Sequence, residues 1–97
     1  MYGTVARFRV KSGMEQKMKE SFEDFRSANV PGSIGEIVYK MDSNPDEYYM
    51  AVFFKDKEAY VANAENPEQD ARYRKMLEFM DGEPEWNDGE IVHARPM

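Results

Sequence analysis

The segment 48–55, which reads YYMAVFFK, constrains the fold of this chain more than any other stretch. It is uncharged before Lys55 and rich in aromatic residues, and it follows a turn-forming Asn-Pro-Asp sequence, so it predicts a β-strand. Alternate residues of a strand face opposite sides of its sheet. One face carries Tyr48, Met50, Val52 and Phe54, and the other carries Tyr49, Ala51 and Phe53. Both faces are apolar, so both need to be covered.

A chain of 97 residues can lay helices over only one face of a sheet. The face formed by Tyr49, Ala51 and Phe53 then needs a second sheet, and a second copy of the chain is its obvious source. The sequence therefore predicts a homodimer with these three residues in the interface. The alternative is a monomer in which Tyr49 and Phe53 are partly solvated.

Composition narrows the class of protein. The length predicts one domain over residues 1–97. The formal net charge of −6 is a poor match for nucleic acid or for an anionic membrane, so we expect neither as a partner. The absence of cysteine excludes disulfides, thiolate zinc sites and cysteine nucleophiles. We find no signal peptide and no apolar run of membrane-spanning length, which predicts a cytoplasmic protein.

The rest of the chain alternates between strand and helix patterns. Strands are predicted at residues 2–11, 33–41 and 90–95, and Pro96 is expected to end the last one. A stripe at spacings of four, four and three predicts a helix over residues 14–28, formed by Met14, Met18, Phe22 and Phe25. Ser12 and Glu15 have the spacing of a capping box at its start.

Asn66 and Pro67 interrupt the second helical region. Residues 57–64 and 68–80 both have helical patterns, and the apolar stripe of the second piece contains Tyr73, Met76, Leu77 and Met80. Proline inside a helix costs about 3 kcal/mol, so we expect two separate helices with Asn66 capping the second. Residues 81–89 then predict an acidic loop around Trp86.

The resulting order is strand, helix, strand, strand, helix, strand. This βαββαβ order predicts an α+β, ferredoxin-like fold with a four-stranded antiparallel sheet and its helices on one face. The other face stays open for the expected second copy.

Three segments carry a resemblance to a known family: VARFRVKSG at residues 5–13, the long run PGSIGEIVYKMDSNPDEYYMAVFFKDKEAYVAN at residues 31–63, and NPEQDARYRKM at residues 66–76. Together with the closing strand they resemble the antibiotic biosynthesis monooxygenase-like family of the dimeric α+β barrel superfamily. The resemblance covers nearly the whole chain. It implies two sheets packed face to face in a dimeric α+β barrel.

The resemblance also implies candidate activities. The family includes oxygenases that act on phenolic or quinol-like compounds without a cofactor, so we expect no cofactor. The carboxylates of residues 83–90 lack histidine support, so we also expect no metal. The family's haem-degrading branch uses an asparagine on the first strand, and a tryptophan and a histidine after the third. Those positions fall on Ala6, Asn63 and Tyr73, and none of the three is retained. Haem degradation is therefore disfavoured.

Four residues are the candidate catalytic groups: Tyr39, Asn63, Tyr73 and His93. Tyrosine and asparagine can orient a phenol and stabilise a phenolate, and the chain's one histidine, expected on the last strand, could act as a general base. The candidate pocket residues are Ala6, Phe8, Tyr60, Met76 and Trp86, with Trp86 either a lid over the pocket or an anchor for its loop. The alternative is that the tyrosine rings fill the core and that His93 is a surface residue.

These residues leave three functions open. The first is a cofactor-independent monooxygenase of small aromatic, quinol-like or phenol-like compounds. The second is a non-catalytic or stress-related protein that binds a small aromatic ligand in the same pocket. The third is a dimer without a pocket, whose role is interaction.

Overall fold

A computed structural model describes residues 1–95 of the chain. The elements follow in the order β1 (Tyr2–Arg9), α1 (Glu15–Ser27), β2 (Ser33–Lys40), β3 (Glu47–Phe54), α2 (Lys57–Ala64), α3 (Pro67–Phe79) and β4 (Glu85–Glu90). The strands form one antiparallel sheet in the order β2-β3-β1-β4. The predicted ferredoxin-like α+β fold is confirmed.

The two central strands, β1 and β3, supply most of the core. Their register places Phe8 opposite Tyr48 and Ala6 opposite Met50, and all four are buried beneath the helices. Phe8 and Tyr48 stack with ring centroids 5.5 Å apart. The predicted alternation of β3 is confirmed, because Tyr48, Met50 and Phe54 are buried while their neighbours on the other face are only half-buried.

Helices α1 and α3 cover one face of the sheet. Met18 of α1 and Met76 and Phe79 of α3 are buried against it, and Phe22 packs at the margin of the same cluster. Phe79 was absent from the predicted stripe, although it is almost fully buried. Within residues 1–95, no helix has the length and apolar character needed to cross a membrane.

The predicted last strand was wrong. The strand is Glu85–Glu90, and residues 91–95 follow it without regular secondary structure. Its register with β1 places Trp86 opposite Ala6, so Trp86 lies on a strand and not in the predicted acidic loop. An edge strand tolerates this acidic sequence, because all six of its residues are exposed to water. Pro96 lies outside the described residues.

The predicted capping box was also wrong. Met14 precedes α1 without a side-chain cap, and the Glu15 carboxylate instead accepts a hydrogen bond from the Tyr48 hydroxyl at 2.9 Å. Lys40 lies 3.2 Å from the same carboxylate. Burial, and then the hydrogen bond to Glu15, raise the pKa of Tyr48 to about 12. Glu15 therefore links α1 to the sheet.

The predicted break at Pro67 is confirmed. Helix α2 ends at Ala64, α3 begins at Pro67, and the Asn66 side chain accepts a hydrogen bond from the Glu68 amide at 2.9 Å. The chain turns between the two helices, where the Asn66 amide bonds the Asn63 carbonyl at 3.0 Å. The end of α2 is thereby fixed above the sheet.

Replacing Asn66 with alanine is expected to destabilise the protein by about 1 kcal/mol, because the Glu68 amide would lose its capping acceptor. Urea denaturation followed by circular dichroism measures the change. Asn66→Asp is the matched control, because aspartate caps helices as well as asparagine does. Equal losses in the two variants would contradict a capping role.

Candidate functional site

A cavity of about 380 Å³ lies between the helices and the covered face of the sheet. The core is dense around Phe8 and Tyr48, and the cavity opens over the other half of the same face, beyond Met50. Helix residues form its walls: Ser21, Phe22 and Phe25 of α1; Tyr60, Asn63 and Ala64 of α2; Gln69, Asp70, Arg72, Tyr73 and Met76 of α3. The lining is mostly apolar, as in small-molecule sites generally.

One row of residues across the four strands forms the floor of the cavity. The strand registers align Glu36 with Val52, Val52 with Thr4, and Thr4 with Asp88, and all four line the cavity. Neighbouring strands are about 4.8 Å apart, so the row spans about 14 Å from end to end. The cavity floor therefore has a carboxylate at each end, with Val52 and Thr4 between them.

Two polar atoms at this cavity lack a hydrogen-bond partner. Asn63 Oδ1 and Thr4 Oγ1 are buried, and neither has a partner within the described part of the chain. A buried acceptor left unpaired costs about 1–3 kcal/mol. Unpaired groups of this kind at a cavity indicate a place where a bound molecule can donate. Asn63 is the stronger candidate, because an amide oxygen can only accept, whereas a threonine hydroxyl can also donate and can rotate towards another partner.

Tyr60 and Asp88 close the end of the cavity floor nearest β4. The Tyr60 hydroxyl donates to Asp88 Oδ1 at 2.7 Å. Burial and this hydrogen bond raise the pKa of Tyr60. The nearby Thr4 hydroxyl lowers that pKa in part, although Thr4 Oγ1 has no hydrogen-bond partner within the described chain. Tyr60 is therefore neutral and unsuited to be a base.

Tyr73 and Trp86 form an aromatic wall beside the cavity. Their ring centroids are 6.0 Å apart and their planes are inclined by 55°. Trp86 is 43% exposed, so part of its indole remains accessible at the edge. A planar aromatic ligand would find ring surface here to pack against.

Three charged side chains at the cavity have no ion-pair partner within residues 1–95: Glu36, Arg72 and Asp88, of which Asp88 accepts the Tyr60 hydroxyl. The Arg72 guanidinium lies over the Phe25 ring, 5.7 Å from its centroid, and its Nε donates to Gln69 at 3.0 Å. Burial, and then repulsion from Glu23, raise the pKa of the Glu36 carboxyl. The cavity thus contains one cation without an ion-pair partner, and one carboxylate, Glu36, with neither an ion pair nor a side-chain hydrogen bond within residues 1–95.

The structure brings some of the predicted site residues together. Asn63 and Tyr73, together with Tyr60, Met76 and Trp86, line the cavity. Ala6 and Phe8, the two other predicted pocket residues, do not line it, since they are packed in the adjacent core at 0% and 2% exposure.

Two predicted catalytic residues lie elsewhere. Tyr39 pairs with Tyr49, on the face away from the helices, and is 55% exposed, so its predicted place between helices and sheet was wrong. Alternate residues of a strand face opposite sides of the sheet, so Tyr39 lies on the same face as Ile37 and not on the covered face that carries Val38. His93 is exposed in the segment after β4, and its predicted place on a strand was wrong too.

Sequence reasoning missed Glu36, Arg72, Thr4 and Asp88. A signal existed for Glu36, because it lies on the same strand face as Val38. Its neighbour on β3, Val52, is also apolar. An acidic residue in such a position needs a reason. Among the described residues, no group of three or more histidine, cysteine, aspartate or glutamate side chains could hold a metal ion.

Comparison with known families decides the classification. A sequence model described as antibiotic biosynthesis monooxygenase matches residues 1–75. The chain belongs to the antibiotic biosynthesis monooxygenase family. The match includes β1 to α2 and most of α3, and therefore all of the cavity except Met76 and the residues that β4 contributes. No curated protein matches the sequence.

Solved structures agree with this fold. SnoaB, a cofactor-independent oxygenase from Streptomyces nogalater, superimposes with a TM-score of 0.79 at 15% identity, covering 99% of this chain and 97% of that one. A variant of SnoaB gives a TM-score of 0.81 at 14% identity, with the same coverage. A conserved protein from Methanosarcina mazei Go1 gives 0.76 at 21% identity, covering 91% and 89%. At such identities the similarity shows the fold alone.

Proposed function

We propose that this protein is a cofactor-independent monooxygenase of small aromatic compounds of the quinol or phenol type. The observation that carries the proposal is the buried, unpartnered Asn63 Oδ1 at a mostly apolar cavity with an aromatic wall. A phenolic hydroxyl would satisfy this acceptor while its ring packs against Tyr73 and Trp86. Membership of the family, and the similarity to SnoaB, support the same reaction class.

The chemistry requires the protein to favour the deprotonated substrate. For a hydroquinone, the phenolic O–H bond breaks and the resulting anion transfers electrons to dioxygen. One oxygen atom becomes bonded to a ring carbon and the other leaves as water, so the hydroquinone becomes a hydroxyquinone. This four-electron oxidation balances the four-electron reduction of dioxygen.

Arg72 is suited to stabilise the anionic substrate. Its guanidinium lines the cavity and has no carboxylate within ion-pairing distance in the described chain. A positive charge close to a phenolate lowers the pKa of the bound phenol, and it does so more strongly in a mostly apolar cavity than in water. Asn63 Oδ1 would orient the substrate by accepting from the second hydroxyl of a hydroquinone, which keeps its proton.

We also propose that the protein works as a homodimer joined through the open face, which we define by Val5, Ile37, Tyr39, Tyr49, Ala51 and Phe53. Val5 and Tyr39 are 52% and 55% exposed in the single chain, although they lie among other apolar side chains. An apolar patch of this kind marks an interaction surface. A second copy would bury the Tyr49, Ala51 and Phe53 side chains that are half-buried here.

Dioxygen uptake tests the oxygenase directly. Purified protein treated with a chelator would be mixed with a panel of hydroquinones and anthrones, and uptake would be compared with the spontaneous rate of each compound. We expect stimulated uptake with at least one panel member. Uptake at the spontaneous rate throughout would refute the proposal.

The second candidate is non-catalytic binding of a small aromatic ligand. It is favoured by one observation: none of the described cavity residues is a histidine, the side chain whose unperturbed pKa lies nearest neutrality. Mass spectrometry of molecules retained through purification tests it. A stoichiometric aromatic ligand recovered unchanged in air would favour binding over oxygenation.

Purified protein is expected not to degrade haem. Ala6 is fully buried and carries no donor for bound dioxygen, Asn63 lacks the bulk to distort the macrocycle, and Tyr73 replaces the histidine that would be the axial ligand. The assay adds haemin and a reductant in air, with catalase present, and follows the Soret band. Loss of the band together with stoichiometric iron release would contradict this expectation.

A further inference from the structure

We propose that Glu36 is the base that takes the phenolic proton from the substrate, an inference that rests on the proposed function. Glu36 lies on the edge strand β2 and lines the cavity, at the end of the cavity floor away from Asp88. It is half-buried, on the face of the sheet that the helices cover. Neither the sequence patterns nor the family resemblance singled it out.

The other carboxylates at the cavity are already engaged. Asp70 pairs with Arg74 at 3.0 Å, and Asp88 accepts the Tyr60 hydroxyl at 2.7 Å. Within residues 1–95, Glu36 makes neither an ion pair within 4.0 Å nor a side-chain hydrogen bond. An uncommitted carboxylate facing a mostly apolar cavity is the group most able to accept a proton from a ligand.

The surroundings of Glu36 favour proton acceptance. Burial, and then the negative charge of Glu23 on α1, raise the pKa of Glu36 above its ordinary value, which makes its carboxylate a stronger base. The other charged or titratable groups that face the cavity are Tyr60 from α2, Asp70, Arg72 and Tyr73 from α3, and Asp88 from β4. Among them, only Arg72 is positively charged.

The proton transfer is balanced. The phenolic O–H bond breaks, a new O–H bond forms at a Glu36 carboxyl oxygen, and the electron pair stays on the substrate oxygen. Negative charge therefore moves from Glu36 to the substrate oxygen, where the Arg72 guanidinium would stabilise it. The proton returns to solvent, or to the water formed from dioxygen, when the product leaves.

Replacing Glu36 with glutamine is the principal test, because it removes the base and keeps the shape of the side chain. For a hydroquinone that the wild type oxidises, we expect kcat/KM to fall by about 10²- to 10⁴-fold. We also expect the wild-type profile to rise with pH as Glu36 loses its proton, above the usual range of a glutamate. The Glu36→Gln profile should lack this rise, and Glu36→Asp should restore it in part.

Glu23→Gln is the matched control. Glu23 lies exposed on α1 and does not line the cavity. Removing its charge lowers the pKa of Glu36, so the rise in the profile should move to lower pH while the plateau rate is retained. If the pH profiles of Glu36→Gln and Glu23→Gln both match that of the wild type, the assignment of Glu36 is overturned and the oxygenase proposal stands. No uptake by the wild type would overturn the oxygenase proposal itself.

A binding measurement separates a chemical role for Glu36 from a structural one. The absorbance of bound 4-nitrophenol reports its ionisation, and a Glu36 carboxylate nearby disfavours the nitrophenolate. We therefore expect bound 4-nitrophenol to have a higher pKa on the wild type than on Glu36→Gln, with both proteins folded by circular dichroism. Equal pKa values for the bound probe would show that Glu36 does not contact the phenol, and would refute the inference.

Discussion

Phe53→Glu is expected to convert a dimeric protein into monomers at micromolar concentration. Phe53 lies on the open face, in β3, where a second copy of the chain would cover it. Leaving an unpaired charge buried costs roughly 3–5 kcal/mol, which weakens association by a hundredfold to several thousandfold. Ala51→Glu, two residues along the same face, should act in the same direction.

Light scattering after gel filtration measures the change. Val61→Glu is the matched control, because it also replaces an apolar side chain with glutamate. Val61 is exposed on α2, on the helix side of the molecule and away from the proposed interface. We expect the Val61 variant to remain dimeric. A wild-type protein that is a stable monomer at micromolar concentration would refute the proposed interface.

The charged margin of the open face adds a geometric constraint. Arg7 Nε lies 2.6 Å from Glu47 Oε1, and Arg7 Nη1 lies 3.8 Å from Glu85 Oε2. These residues point to the same side of the sheet as Ala51 and Phe53, so the apolar patch is bounded by an ion-pair cluster in its own chain. Because the cluster is already paired, it needs no partner from the second copy.

Asn63→Leu is expected to lower the oxygenase rate and to leave stability unchanged or slightly higher. Losing one hydrogen bond to the bound substrate costs about 0.5–1.5 kcal/mol, which lowers kcat/KM by roughly 2- to 10-fold. Stability moves the other way, because leucine removes a buried oxygen that has no partner in the described chain. A purely structural asparagine would not give these opposite effects.

Dioxygen uptake and thermal unfolding measure the two effects in the same preparation. Thr4→Val is the matched comparison, since Thr4 Oγ1 also lacks a partner at the cavity and lies beside the Tyr60–Asp88 pair. We expect a similar effect on stability and a smaller loss of rate. Loss of both rate and stability in Asn63→Leu would refute its role in substrate binding.

The sequence predicted those elements whose patterns are set by local physics. The alternation of β3 followed from one uncharged segment, and the break between α2 and α3 followed from the geometry of Pro67 and the capping capacity of Asn66. These features depend on neighbouring residues alone. Residues 91–95, which begin with Ile91 and Val92, resembled a strand more than the acidic Glu85–Glu90 did, yet pairing with β1 selected the acidic segment.

The site was harder to predict because it depends on which face of each strand the helices cover. Tyr39 and Glu36 lie on opposite faces of β2, and only the register with β3 shows that Glu36 is the one at the cavity. Asn63 and Tyr73 line the cavity because α2 and α3, which carry them, border it, and their roles stay predictions. Arg72 was missed, because its lack of an ion-pair partner is a property of the folded chain.

The most direct test of the proposed function is oxidation of a hydroquinone by the wild-type protein under oxygen-18 gas, in chelator-treated buffer. The account predicts one labelled oxygen atom in each product molecule and the second in water, at a rate that exceeds the spontaneous reaction and falls in Asn63→Leu. Product without label, or a hydroquinone bound and recovered unchanged, would contradict the account and favour a ligand-binding protein on the same fold.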